Sequence, residues 1–267
     1  MALENPAFRS PAFTGNTSVS NAVSVEELQD IYNRPTAGAG ETDRMTVEDT
    51  VVKTALSFGV LVIGAMLGWV TATTMPFLFA IAGIIGFVLA LVNIFKKEPS
   101  PALILAYAAA QGVFVGAISM FYETQFDGIV LQAVLATLAV VGVTLALFAS
   151  GKIRASKKAT KVFLIAMVGY LVFSLLNVVL TMTGAVSNPW GLRGDDLFNT
   201  GIPIGLVLGV LVVIMAAYSL VLDFDFIQKG VKNRAPRKYG WTGAFGIMVT
   251  VIWLYLEILR MFAIARD

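Results

Sequence analysis

Two residue types are missing from this sequence, and a third class is scarce. There is no cysteine among the 267 residues, which excludes disulfides, thiol nucleophiles and cysteine-ligated metals. There is also no histidine, which excludes histidine metal sites, Ser/His/Asp catalysis and pH sensing by imidazole. Charged residues make up only 13% of the chain, about half of what a soluble domain carries. Any proton-linked behaviour must therefore depend on carboxylates, tyrosine or lysine.

Hydrophobic residues, by contrast, make up 57% of the chain and are gathered in long runs. A helix needs about 20 apolar residues to cross a bilayer. The sequence therefore predicts an all-α, polytopic membrane protein with seven transmembrane helices. The predicted spans cover residues 53–72, 76–95, 102–122, 128–149, 160–182, 202–224 and 243–264.

The first part of the chain has a different character. Residues 1–44 are polar and lack the basic and apolar regions of a signal peptide. We predict a disordered cytoplasmic tail here, with a short helix over 24–32 that begins at a capping box on Ser24. Residues 45–267 then form the predicted seven-helix transmembrane domain, with Thr46 as the N-cap of its first helix.

Lysine and arginine are concentrated in every second connection. The connections after spans two, four and six carry Lys96, Lys97, Lys152, Arg154, Lys157, Lys158, Lys161, Lys229, Lys232, Arg234, Arg237 and Lys238. The alternate connections are 73–75, 123–127 and 183–201, and their only lysine or arginine is Arg193. The positive-inside rule therefore predicts a multi-pass protein of the cell membrane with a cytoplasmic N-terminus and an extracytoplasmic C-terminus.

Three acids lie inside or next to apolar runs. Asp223 and Asp225 interrupt the sixth run, and Glu257 interrupts the seventh. Uncompensated charge in hydrocarbon costs several kcal/mol, so such acids are either satisfied by partners or used in function. One interpretation is structural: Asp223 and Asp225 reach cytoplasmic water, and Glu257 pairs with Arg260 one helical turn on. The other is that Asp223 and Glu257 share a proton and bind or release calcium as pH changes.

The remaining polar residues in the spans, Gln111 among them, are predicted to make hydrogen bonds between helices. Glycines at short spacing, such as Gly64 with Gly68 and Gly112 with Gly116, predict close helix packing. The last span holds no lysine for a retinal Schiff base, and the chain has no glycine-rich phosphate loop. We therefore predict that the chain is not an enzyme, needs no cofactor and binds no nucleic acid.

Two motifs in the last spans resemble the transmembrane Bax-inhibitor-motif family, that of Bax inhibitor-1. They are Asp223-Phe224 with Ile227, and the run Leu254-Tyr255-Leu256-Glu257-Ile258-Leu259. The longer segment around them is similar to the bacterial, actinobacterial-type branch, and the resemblance covers roughly residues 45–265.

The resemblance implies a seven-helix fold in which the last helix is central to the other six. It also implies a pH-sensitive calcium leak gated by a carboxylate pair, which would be Asp223 and Glu257, with Lys96 or Lys97 as a candidate latch. Family members commonly have aspartate where Glu257 stands, and related bacterial sequences commonly have an acid where Gln111 stands.

The expected partners are the lipid bilayer, protons and calcium, with calcium as a permeant ion or bound between Asp223 and Glu257. Asp225 is predicted to be a second acid, less important than Asp223, near the cytoplasmic mouth of the ion path. The alternative function is a non-conducting membrane regulator or scaffold that modulates a membrane protease or a stress response. Its partner would be a membrane protein engaged through the N-terminal tail.

Overall fold

The computed structural model describes residues 43–75, 77–197 and 200–267. Its long helices are α1 (Val47–Thr71), α2 (Leu78–Phe95), α3 (Pro101–Gln125), α4 (Ile129–Ala149), α5 (Lys157–Met182), α6 (Ile204–Lys232) and α7 (Gly240–Arg266). All seven are long and apolar enough to cross a membrane, so the predicted all-α multi-pass architecture is confirmed. The predicted helix 24–32 and the tail up to residue 42 lie outside the described residues.

Helix α1 starts earlier than the apolar run suggested. It begins at Val47, six residues before the predicted start at 53, and Thr46 is its N-cap as predicted. The Thr46 hydroxyl accepts a hydrogen bond from the backbone N–H of Asp49 at 3.1 Å. Charge is tolerated in these first turns because Lys53 pairs with Asp49 and donates to the carbonyl of Arg237 at 2.7 Å.

Charged loops mark one end of the bundle, which we call the basic end. It comprises the connections after α2, α4 and α6 and the start of α1. Lys238 pairs there with Glu98 at 2.7 Å, and Arg237 pairs with Asp49 at 2.7 Å. The hydrogen bond from Lys238 holds the pKa of the Glu98 carboxyl below its usual range. The other end, called the opposite end, comprises the connections after α1, α3 and α5 and the end of α7.

Helices α6 and α7 also extend beyond the predicted spans. Helix α6 continues to Lys232, eight residues past the predicted end at 224, and α7 begins at Gly240 instead of 243. Because a helix rises about 1.5 Å per residue, Asp223 lies about 14 Å inside the basic end of α6. Asp223 therefore lies well inside helix α6 and not at its end.

Glycines let α1 and α3 pack at very short distance. A Cβ atom at Gly116 would lie 1.9 Å from the carbonyl oxygen of Ala65, and one at Gly68 would lie 2.1 Å from that of Val113. No side chain larger than hydrogen fits these positions without moving backbone. The predicted glycine seam is thus confirmed for this helix pair, whereas Gly59 of α1 faces open space.

The last helix is the most buried of the seven. In the most apolar stretch of each helix, 56% of the residues of α7 are buried, against 44% for α3 and none for α5. Helix α7 packs against α1, α3, α4 and α6, while α5 packs lightly on α6 and on the short turn Gly191–Arg193. A helix as buried as α7 can hold polar groups away from lipid. That all six other helices surround it stays a prediction.

Candidate functional site

Asp223 is a partly buried acid on α6 that faces α7. Its Oδ2 accepts a hydrogen bond from the Thr250 hydroxyl at 2.7 Å, and that hydroxyl lies 3.2 Å from Ser219 Oγ. Gly246 makes room for the carboxylate, because a Cβ atom there would lie 2.7 Å from Asp223 Oδ1. Within the described residues no lysine or arginine pairs with Asp223. The acid has hydroxyl neighbours but no counter-ion in this part of the chain.

A cavity of about 500 Å³ connects Asp223 to the basic end. Lys96 and Lys97, which follow the last turn of α2, line the same cavity together with Asn93 and Tyr239. Both lysines are exposed, and neither forms an ion pair with Asp223. The structure therefore places the candidate latch residues at the rim of the cavity that holds Asp223, without a closed latch.

Glu257 of α7 is held by several donors and is only 2% exposed. Its Oε1 accepts from Arg193 at 3.0 Å. Its Oε2 accepts from the Tyr170 hydroxyl at 2.7 Å and from Arg260 at 3.0 Å. The ion pair with Arg260 is the one expected from the spacing of three residues. Both oxygens of this buried carboxylate are therefore compensated by charge and hydrogen bonds, as buried ions require.

Arg193 is the functional candidate that the sequence reasoning missed. It belongs to the connection between α5 and α6, in the short turn Gly191–Arg193, yet its side chain is only 4% exposed. Besides Glu257 it donates to the Tyr170 hydroxyl at 2.9 Å and to Ser174 Oγ at 3.2 Å. One signal could have found it, since Arg193 is the only basic residue in the three connections 73–75, 123–127 and 183–201.

The two predicted sensor acids occupy separate sites. Asp223 contacts Thr250, and Glu257 follows Thr250 by seven residues, which is about 10 Å along the axis of α7. Fully buried apolar side chains lie between these levels, including Leu254 of α7 and Ala216 of α6. The structure therefore does not form the predicted shared-proton pair, nor a calcium site made of both carboxylates. Whether either acid senses pH stays a prediction.

The secondary polar residues differ in their outcomes. Asp225 is 16% exposed at its side chain and pairs with Lys229 one turn on at 2.5 Å. It is therefore neutralised on its own helix and is not a freely solvated acid. The carbonyl oxygen of Gln111 is buried and has no hydrogen-bond partner among the described residues, so the predicted interhelical bond is not made by this atom there. Its side chain packs instead against Gly86 of α2.

The arrangement of acids limits the metal chemistry of the described region. No group of three or more histidine, cysteine, aspartate or glutamate residues comes together there in a way that could hold a metal ion. Calcium takes six to eight oxygen ligands. An ion near Asp223 would therefore depend on water for most of its coordination, as a permeating ion does.

Two comparisons bear on what this bundle is. A search of curated proteins found no match for the chain. The family model described as "Bax inhibitor 1 like" matches residues 5–267, which is nearly the whole sequence. That range includes both motifs on which the resemblance depended, and the seven membrane-spanning helices agree with it. The chain belongs to the Bax inhibitor 1 like family of membrane proteins.

Proposed function

We propose that the protein is a proton-sensitive leak for calcium and similar small cations, with its basic end facing the cytoplasm. We place it in the cell membrane, in the bacterial, actinobacterial-type branch of its family. The observation that carries the proposal is Asp223, a carboxylate well inside α6, a helix long and apolar enough to span a membrane. A cavity leads from it to the basic end, and it has no cationic partner in the described residues. Intramembrane carboxylates commonly mark ion or proton paths.

Asp223 has the features of a sensor in this scheme. When ionised, it attracts a cation into the cavity; when protonated, it is neutral and releases it. Lys96 and Lys97 at the rim compete with the cation for the same carboxylate, which is the latch role expected of them. Glu257 takes a different role from the one predicted, because Arg193 and Arg260 already neutralise it. It anchors the far end of the path and does not share the proton.

We expect Asp223→Asn to remove most of the pH dependence of calcium flux. The amide keeps the size of the carboxylate and a hydrogen bond to Thr250 but cannot ionise. The measurement is calcium uptake into proteoliposomes at several pH values, with the same amount of folded protein in each sample. Wild type should change its flux with pH, and the variant should give a nearly constant flux.

Asp225→Asn is the matched control for that experiment. Asp225 lies two residues further on the same helix and already pairs with Lys229, so its removal should leave the pH profile in place. Equal pH profiles in wild type and Asp223→Asn would show that Asp223 is not the sensor.

A second function, that of a non-conducting regulator or scaffold, is favoured by the packed layer between the two acids. Ala216 of α6 and Leu254 of α7 are completely buried there. Deletion of residues 1–44 separates the two functions. A scaffold should lose its membrane-protein partner in a pull-down, whereas a leak should keep its calcium flux without the tail.

A further inference from the structure

The buried arginine at the opposite end has an unusual origin. Arg193 comes from a connection and not from a transmembrane helix, and it is nevertheless 96% covered. Arginine is almost never fully buried unless it is paired. Its guanidinium reaches three oxygen atoms at 2.9 to 3.2 Å, those of Glu257, Tyr170 and Ser174. It also lies 5.2 Å from the ring centre of Tyr170 and 5.6 Å from that of Phe173.

The groups around this guanidinium are those that bind cations generally. A carboxylate, a phenol and an alcohol supply oxygen ligands, and the two aromatic faces attract positive charge. All of them belong to α5 and α7, whereas the cation they surround is supplied by the connection between α5 and α6. The groups that surround the cation and the guanidinium itself therefore belong to different parts of the fold.

The charges of the cluster indicate which partner is removable. Glu257 contributes one negative charge, and Arg193 and Arg260 contribute two positive charges. Arg260 lies on the same helix as Glu257, three residues on, and stays beside it in any movement of the connection. Net charge away from water is costly. Withdrawal of Arg193 would leave a neutral Glu257–Arg260 pair, so the cluster does not need Arg193 for charge balance.

We propose that Glu257, Tyr170 and Ser174 form a binding site for a small cation, and that Arg193 occupies this site as a tethered ligand. This inference rests on the proposed leak, in which the permeating cation must replace the guanidinium to pass the opposite end. Arg193 then acts as the closing residue of the path, which opens when its side chain leaves the site.

The connection has its own attachments to the bundle, which makes the site testable. Asn177 of α5 donates to the carbonyl of Trp190 at 3.1 Å and accepts from the N–H of Leu192 at 2.7 Å. The indole N–H of Trp190 donates to Asp267 at 2.8 Å. These contacts do not involve the guanidinium. Truncation of Arg193 should therefore empty the site while the connection stays in place.

The test is chemical rescue of Arg193→Ala by guanidinium ion. We expect the variant to unfold about 5 °C below wild type in lipid nanodiscs and to leak calcium faster. Guanidinium at millimolar concentration, well below denaturing levels, should restore the unfolding temperature and close the leak in a saturable way. Urea, which has a similar shape but no charge, should do neither. Arg154→Ala removes an arginine at the basic end and should show no response to guanidinium.

A second readout does not depend on ion flux. Because the chain has no cysteine, Ser174→Cys can be labelled with a charged thiol reagent without background. The cysteine should react slowly when Arg193 is present and at least several-fold faster in Arg193→Ala or Arg193→Lys, with guanidinium protecting it. Lysine is included because its ammonium cannot fork across three oxygens as guanidinium does, and it covers the case in which the alanine variant fails to fold.

The outcomes separate this inference from the proposed function. Guanidinium could restore stability and protect the cysteine from labelling in a saturable way while no variant shows calcium flux. That result would support the cation site and refute the leak. Flux that depends on Asp223, combined with no response to guanidinium in either readout, would refute the tethered ligand and keep the leak.

Discussion

Glu257→Ala should be the most damaging single substitution in the membrane-spanning region. It removes the carboxylate to which Arg193 and Arg260 donate and leaves two guanidinium groups without their counter-ion. Breaking a buried ion pair by removing one partner costs roughly 3–5 kcal/mol, because the remaining charge stays buried and uncompensated. We expect poor yield of folded protein and an unfolding temperature lower by roughly 10 °C, measured by thermal unfolding in nanodiscs.

The control and the second-site variant make this result specific. Asp225→Ala removes an acid whose partner, Lys229, has a side chain that is 68% exposed, and such pairs contribute only about 0–1 kcal/mol. Adding Arg193→Met to Glu257→Ala removes one of the uncompensated charges and should recover part of the lost stability. If Glu257→Ala unfolds at the same temperature as Asp225→Ala, the ionic cluster is not a stabilising feature of the fold.

The second large effect is expected from Gly116→Ala. The added methyl would lie 1.9 Å from the carbonyl oxygen of Ala65, which belongs to backbone and cannot rotate away. Helices α1 and α3 would have to separate, with the loss of packing along the whole seam of Gly64, Gly68, Gly112 and Gly116. Association of helices in lipid depends on such close packing. We expect a loss of about 2–3 kcal/mol, comparable to overpacking a tight core, measured as a fall in the unfolding temperature.

Gly59→Ala provides the matched control on α1. A Cβ atom at this position meets nothing within 4 Å, and alanine is favoured over glycine inside a helix by about 0.5–1 kcal/mol. This variant should therefore be as stable as wild type or slightly more stable. Equal destabilisation by the two substitutions would mean that the glycine seam does not set the distance between α1 and α3.

The seven-helix architecture could be predicted from the sequence because lipid imposes length and apolarity on each span. The ends of helices were harder, since charged residues can continue a helix when they find partners. Lys53 shows this for α1, where its pairing with Asp49 allows the helix to start at Val47. The same applies to α6, in which Asp225 and Lys229 neutralise one another beyond the predicted end.

Only part of the candidate site could be predicted from the sequence. Polarity inside apolar runs identified Asp223 and Glu257, but polarity along one chain does not show which groups meet. Their depths depend on where α6 ends and α7 begins, and those ends moved by eight and three residues. Arg193 could not be placed at all, because the depth to which a connection folds back into a bundle leaves no periodic pattern.

Helix α5 makes the proposed cation site sensitive to the surrounding bilayer. None of its residues is buried, so a surrounding bilayer would cover most of its surface. Tyr170 and Ser174, which form one wall around Arg193, belong to this helix. A change in bilayer thickness alters the tilt of a helix at modest energetic cost, and α5 has few protein contacts to resist it. We therefore expect the fit between Arg193 and its oxygen ligands to change with the thickness of the membrane. Lipid composition would then affect how well Arg193 closes the ion path.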